Sequence, residues 1–407
     1  MTLKKGKLIN AIFYIAIGIF FFFTAMTITM MEHNETIALV AKVMRYVSYL
    51  LFVLLIIYHV LGFKKGITIK DVFLNGIDYA LTHILLLVTI VVAGVVYLEM
   101  GERIPLILVL VIWVCSFYDF KKIVKVFLGS SLVLMVSAWI LSFVDFIPEI
   151  ISIRDDKYRY AMGFVYPLET MTFFLFLAIC YIYLQEKKYN LKDCVMINIM
   201  GLLLYSITAA RTAFFLLIIV SLVALVYAKT NIEKVLRVLF PWLGYVVVAV
   251  CAVASVGGGL LYNIENPIWV KIDSLISNRL RMMEVAFEEY GFTLFGQKIE
   301  WVGYGGLEDI TITVGKYNFV DCSYGKILMD YGIIFLLLIL IGYGVAYYIA
   351  SRKKDYGLLI ILTIVLVVSI MEPRLISLEM NPFVLLLAGF FLKENKSLLK
   401  IKHETNS

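Results

Sequence analysis

The sequence predicts an all-α polytopic membrane protein of about twelve transmembrane helices, with one long extramembrane segment that carries an amphipathic helix. Three observations lead there. Of 407 residues, 62% are hydrophobic and 16% charged, with a mean hydropathy of +0.94. That is more apolar surface than a soluble core of this size can bury. Apolar runs of roughly 17 to 25 residues recur along the chain, the length that crosses about 30 Å of hydrocarbon at about 1.5 Å per residue. Basic residues concentrate in every second connection between those runs.

In order, the runs lie near 10–31, 37–62, 77–98, 105–119, 124–144, 164–184, 194–209, 211–228, 236–260, 324–350, 356–371 and 380–392. The fourth, seventh, eleventh and twelfth are short or broken. The first follows Lys4, Lys5 and Lys7 as a signal peptide would, but it is too long for one and further spans follow directly. It is therefore expected to stay as the first helix. The chain divides into a bundle of nine spans (1–260), an extracytoplasmic segment (261–323), three more spans (324–392) and a cytoplasmic tail (393–407).

Orientation follows from Lys and Arg, which resist translocation near span ends. One side carries the N-terminal lysines, Lys64, Lys65 and Lys70, then Lys121, Lys122 and Lys125, then Lys187, Lys188 and Lys192. It continues with Lys229, Lys234 and Arg237, with Arg352, Lys353 and Lys354, and with tail residues Lys393, Lys396, Lys400 and Lys402. That side holds about 22 of 36 basic residues against about 8 of 30 acidic ones, roughly +14 against −8 on the other face. Both termini are expected in the cytoplasm of a bacterium, and the formal net charge of +6 expresses topology, with no nucleic-acid partner implied. The lipid bilayer is the partner that composition demands. Only 261–323 is a large outer connection, and connections of that length are usually functional.

Several classes fall away. No P-loop, GxSxG, HExxH or GxGxxG stands in a plausible setting, against ATP-driven transport and proteolysis. The two halves differ in loop pattern, against an inverted-repeat transporter. Five cysteines and four histidines, well separated, imply neither a disulfide framework nor a metal, and no cofactor is expected.

Arg211 sits between two apolar runs with almost no loop to hold it. It is either a snorkelling arginine at a helix end or an anion site, since Arg grips phosphate bidentately and keeps its charge. The outer segment opens with Asn266 as N-cap and Pro267 at the first helical position, and the helix stops at Gly291. Within it Ile268, Ile272, Leu275, Ile276, Met283, Ala286 and Tyr290 form a stripe at helical spacing, for packing or for the membrane interface. Arg279 falls inside that stripe, as a ligand or a buried ion pair. Arg281 lies on the polar face within reach of Glu284 and Glu288, as an ordinary surface pair.

Beyond Gly291 and Gly296 comes a stretch with Trp301, Tyr304, Tyr317 and Phe319, rings that suit sugar faces or a lipid interface. Asp321 stands at the mouth of the next span, as an N-cap or as a partly desolvated general base. Weaker candidates are Asp78, His83 and Glu169. Glu372 and Arg374, beside Pro373, are expected to pair or to line the outer cavity.

Four pieces resemble the Wzy-type oligosaccharide repeat-unit polymerases and their relatives, the O-antigen ligases. They are Arg159 to Phe164 with Pro167, Arg211 between two short spans, Ser277-Asn278-Arg279-Leu280 followed by Phe295-Gly296, and Val320-Asp321 with Ser323-Tyr324 and Tyr331-Gly332. The family often has Asn after the proline where this chain has Leu168, and ligases tend to carry a His near the place of Asp321. The outer segment has no histidine, which favours polymerase. The resemblance implies a GT-C-like, metal-independent, inverting glycosyltransferase that acts on undecaprenyl-diphosphate-linked oligosaccharides outside the cytoplasmic membrane. It implies a chain-length regulator and a flippase as partners. Arg211 and Arg279 would hold the diphosphate, Asp321 would take the acceptor proton, and Arg159, Tyr324, Glu372 and Arg374 would line the substrate cavity. A ligase, a flippase or other transporter, and a His-dependent acyltransferase are the rival readings.

Overall fold

Helices form where the apolar runs lie, since a chain in lipid must satisfy its backbone polar groups within each segment. The computed structural model describes residues 2–61, 83–154, 157–230, 233–276, 278–303 and 318–391. The basic connection at Lys64 to Lys70, Asp78, Ser277, Tyr304, Tyr317 and the tail from Lys393 lie outside the described residues. The chain builds α1 (Thr2–Ala25), α2 (Glu35–Leu61), α3 (Ile84–Met100), α4 (Ile104–Cys115), α5 (Phe120–Phe143), α6 (Pro167–Gln185), α7 (Leu191–Thr208), α8 (Arg211–Lys229) and α9 (Glu233–Leu260). Two short helices follow, α10 (Pro267–Leu275) and α11 (Arg279–Tyr290), then α12 (Ser323–Arg352) and α13 (Tyr356–Met371).

Among the described residues, seven helices are long and apolar enough to cross a membrane, and four shorter apolar ones accompany them at Ile84–Met100, Ile104–Cys115, Gly244–Leu260 and Tyr356–Met371. This is a multi-pass, all-α membrane protein. Eleven of the twelve predicted runs thus coincide with apolar helices. The last does not form a long helix: Pro382–Leu387 is a 3-10 turn followed by the one-turn α14 (Ala388–Phe391). Residues 382–388 are buried and pack among α12, α3, α4 and α5. Irregular backbone is tolerated at such a place because protein surrounds it on all sides. The described connections also include a small antiparallel hairpin, β1 (Ile151–Arg154) with β2 (Lys157–Tyr160), where sequence gives only a loop.

The connection after α1, the hairpin, the α7–α8 turn, the start of α6, α11 and the start of α12 meet at one end of the bundle, here the loop end. The contacts that join them are those of Met30 with Gly163, Arg159 with Thr208, Glu169 with Arg374, Arg279 with Glu372 and Ser323 with Glu372. Of the long spans α6 is innermost, with 72% of its apolar window buried against 28–50% for the others. It packs on α5, α7, α8 and α13. On the other flank α9 packs on α11, α12 and α13. Met283 of α11 fills a notch left by Gly259 of α9 and Gly325 of α12, where an added Cβ would come 2.8 Å from Met283 Cγ and 2.5 Å from its sulfur respectively.

Candidate functional site

The predicted amphipathic helix is two helices. Asp273, only 2% exposed, accepts the Leu280 N–H on its carboxylate at 2.8 Å, and its backbone carbonyl accepts the N–H groups of Ile276 and Asn278. Asn278 adopts φ +61, a left-handed turn that Asn tolerates better than most residues. The helix therefore stops and restarts at Arg279. The α10 half leaves Ile268, Val270 and Ile272 exposed, while α11 buries Arg279, Leu280, Met283, Ala286 and Phe287. Arg281 is exposed near Glu284, as its place on the polar face predicts.

Arg279 is 8% exposed and its Nη2 lies 3.7 Å from Glu372 Oε1. Its Nη1 donates at 3.4 Å to the Ile276 carbonyl, and its buried Nε has no hydrogen-bond partner. Glu372 caps the C-terminus of α13 and begins a non-helical stretch, 372–381, that turns into the bundle. That stretch is fastened at both ends. Ser323 Oγ donates to the Glu372 carbonyl at 2.6 Å and accepts the Leu375 N–H at 3.0 Å. Asn381 donates to the carbonyls of Arg374 and Leu375, and Tyr343 of α12 donates to Leu375 as well. These partners satisfy backbone groups that a helix would satisfy internally.

From this stretch Glu372 accepts a hydrogen bond from Thr172 of α6 at 3.3 Å, and Arg374 pairs with Glu169, also of α6. Three further buried atoms lack hydrogen-bond partners: Glu372 Oε1, Glu169 Oε2 and Arg374 Nε. Burial pushes the Glu372 carboxyl up to about 7, although Arg279 opposes the shift. For Arg374, burial lowers the guanidinium's affinity for its proton, but Glu169, Glu379, Glu372 and Asp321 outweigh it and raise the net value.

Asp321 completes the cluster. The N-cap of α12 is Cys322, with no side-chain cap, so the carboxylate is not spent on the helix start. No hydrogen bond holds it among the described residues. Burial raises its pKa, and the cations Arg279, Arg374 and Lys326 pull in the opposite direction. A partly desolvated carboxylate in the field of three cations can take a proton, and the cations can hold an anion.

Lys326 is the residue that sequence analysis passes over. Its Nζ lies 2.9 Å from Asp330, 4.3 Å from the Trp301 ring centre and 5.0 Å from that of Phe319. Trp301 Nε1 donates to Asp330 at 2.7 Å. The aromatic stretch is thus closed over an ion pair by cation–π contacts. The signal was available: Lys326 and Asp330 are an i, i+4 pair inside an apolar span, where charges are costly and rarely accidental.

The remaining candidates group elsewhere. Arg159 is 4% exposed, its Nε donates to the Thr208 carbonyl at 2.8 Å, and its guanidinium stands 5.4 Å from the Tyr166 ring centre. Arg211, exposed, opens α8 on the same α7–α8 turn, just past Ala209 at φ +48. The N-terminal turn of α6 connects both groupings, since Tyr166 and Glu169 are three residues apart. Tyr324 is fully buried and donates to the Leu366 carbonyl at 2.9 Å, in the packing of α12 on α13. His83 lies at the opposite end, at the start of α3. No protein-family model, curated protein or solved structure matches the chain.

Proposed function

We propose that this chain joins undecaprenyl-diphosphate-linked oligosaccharide repeat units into a surface polysaccharide on the outer face of a bacterial cytoplasmic membrane. In this reading it is an inverting glycosyltransferase of GT-C-like build, working without a metal. One observation carries the proposal: Asp321, free of helix-capping duty, lies at the loop end among Arg279, Arg374 and Lys326, where two guanidinium Nε atoms are buried without partners.

The acceptor hydroxyl oxygen attacks the anomeric carbon of the lipid-linked donor. The bond from that carbon to the diphosphate oxygen breaks, and the electron pair leaves with the lipid diphosphate. The hydroxyl proton passes to Asp321. Charge grows on the diphosphate as the bond breaks, so fixed arginines that hold it more tightly in the transition state lower the barrier. In this reading Arg279 and Arg211 hold the diphosphate, and Arg374, beside Asp321, adds to its stabilisation. Glu372 competes with the diphosphate for Arg279. With its carboxyl pushed up to about 7, it yields by taking a proton as the anion arrives.

The test is reconstitution of the purified full chain in vesicles with a synthetic undecaprenyl-diphosphate repeat unit. A ladder of products on the lipid carrier is expected. Unchanged single units, with the protein folded, would overturn the proposal, and transfer only to an acceptor other than another repeat unit would replace polymerase by ligase.

A further inference from the structure

A second basic site lies away from the Asp321 cluster, on the flank formed by α2, α3 and α4. A groove of about 520 Å³ there is lined by Lys42, Arg45, Tyr46, Tyr49, Tyr97 and Arg103, floored by Leu106 and Ile107. On α2 the first four follow the spacing i, i+3, i+4, i+7, one face of a helix. That face would be apolar if it met only lipid tails. Lys42 stands seven residues from the start of α2, about 10 Å from its loop end at 1.5 Å per residue. A cation within the first turns of a spanning helix is within reach of the headgroup layer.

Two of the cations are held by hydrogen bonds, and Lys42 and Arg103 are exposed at the groove mouth. Arg45 forms a two-point pair with Glu32, at 2.5 and 3.0 Å, and also donates to the Phe23 carbonyl at 2.8 Å. Arg103 comes from the α3–α4 connection and donates to the Tyr46 hydroxyl at 2.8 Å. Glu32 offsets Arg45, whereas neither Lys42 nor Arg103 is in an ion pair among the described residues. No carboxylate lines the groove. Snorkelling accounts for Lys42 or Arg45 one at a time. It does not account for a third cation drawn in from a different connection, three tyrosines around it, and a volume within the usual range of about 300–1,000 Å³ for ligand sites.

We infer that the α2–α3–α4 groove binds the phosphate headgroup of an anionic membrane lipid, with Lys42 and Arg103 on the phosphate oxygens. The tyrosine hydroxyls face the ester and glycerol oxygens, and the acyl chains run down the exposed apolar sides of Val43, Val47 and Leu50 on α2. The site does not depend on the glycosyl-transfer reading.

Native mass spectrometry of the full chain released from micelles with phosphatidylglycerol or phosphatidylcholine tests it. Phosphatidylglycerol should be retained in preference, and the double variant Lys42→Gln/Arg103→Gln should lose about tenfold in retention for each cation removed. Lys42→Arg/Arg103→Lys, which preserves both charges, should retain the lipid and so separates charge from folding. Equal retention of the two lipids, or undiminished phosphatidylglycerol on the Gln variant, would overturn the inference. Displacement of the lipid by millimolar inorganic phosphate would overturn the choice of a lipid as occupant.

Discussion

Gly296 and Gly332 lie back to back, so that a Cβ on Gly296 would fall 2.1 Å from the Asp330 carbonyl oxygen and one on Gly332 would fall 2.4 Å from the Gly296 nitrogen. Both have positive φ, +92 and +84. At Gly332 α12 breaks, and the segment after α11 supplies the missing hydrogen bonds: Ile333 and Ile334 donate to the carbonyls of Thr293 and Leu294, and Gln297 donates to that of Asp330. The break fixes the first turns of α12, with Lys326 and Asp330, against the segment that carries Trp301. Replacing either glycine by Ala forces a backbone shift as well as a strained φ, so each variant should lose about 2–4 kcal/mol of stability. Thermal unfolding in detergent measures this, and a midpoint equal to the parent's would refute the close approach.

Arg279 is expected to act through its shape as well as its charge. Arg279→Lys preserves the charge but cannot grip a diphosphate at two points, and Arg279→Ala removes both. Loss of one fixed donor to developing charge costs about 100- to 1,000-fold in rate. The reconstituted polymerisation rate should fall in that range for Ala and by less for Lys, with the protein still inserted. If the two variants match the parent, the cation serves only to neutralise Glu372.

Much of this arrangement was legible in the sequence, for physical reasons. Spans are set by apolar length, so eleven runs coincide with helices, and the stripe that encloses Arg279 foretells its burial. Phe295-Gly296 and Tyr331-Gly332 stand out in the sequence only as separate pieces, and the structure joins their glycines through the backbone. Two features were not legible because their causes are side-chain contacts that local propensity does not encode. The stop at Asn278 depends on Asp273 reaching forward to cap Leu280. The non-helical course of 372–381 depends on Ser323 and Tyr343, about 50 and 30 residues away along the chain, supplying hydrogen bonds that local propensity cannot foresee.

Asp321 sets the expected pH profile of the reaction. Its pKa is raised by burial, and only the ionised form accepts a proton, so the rate should climb with pH through that raised value and then level off. Lys326→Met removes one of the cations that hold the value down, and should move the rising limb to higher pH. Asp321→Asn should cost about 100- to 10,000-fold at every pH, in line with loss of a general base. A rising limb that persists in Asp321→Asn would assign the titration to a different group.

Glu372 should leave its mark on stability. Its carboxyl titrates near 4.5 when unperturbed and is pushed up to about 7 in the fold by burial. Between those values the folded protein holds a proton that the unfolded chain has released, so stability must fall as pH rises through this window. The contribution is complete below about 4.5, is lost progressively toward 7, and stays flat above. Asp321 and Glu102, also raised by burial, slope in the same direction, so the diagnostic quantity is a difference. Glu372→Gln keeps the hydrogen-bonding shape without the titration. Its unfolding midpoint should therefore decline less between pH 5 and 7 than that of the parent chain. Parallel curves for the two proteins would mean that Glu372 stays ionised beside Arg279 throughout, and would remove the proton uptake proposed to free Arg279 for the diphosphate.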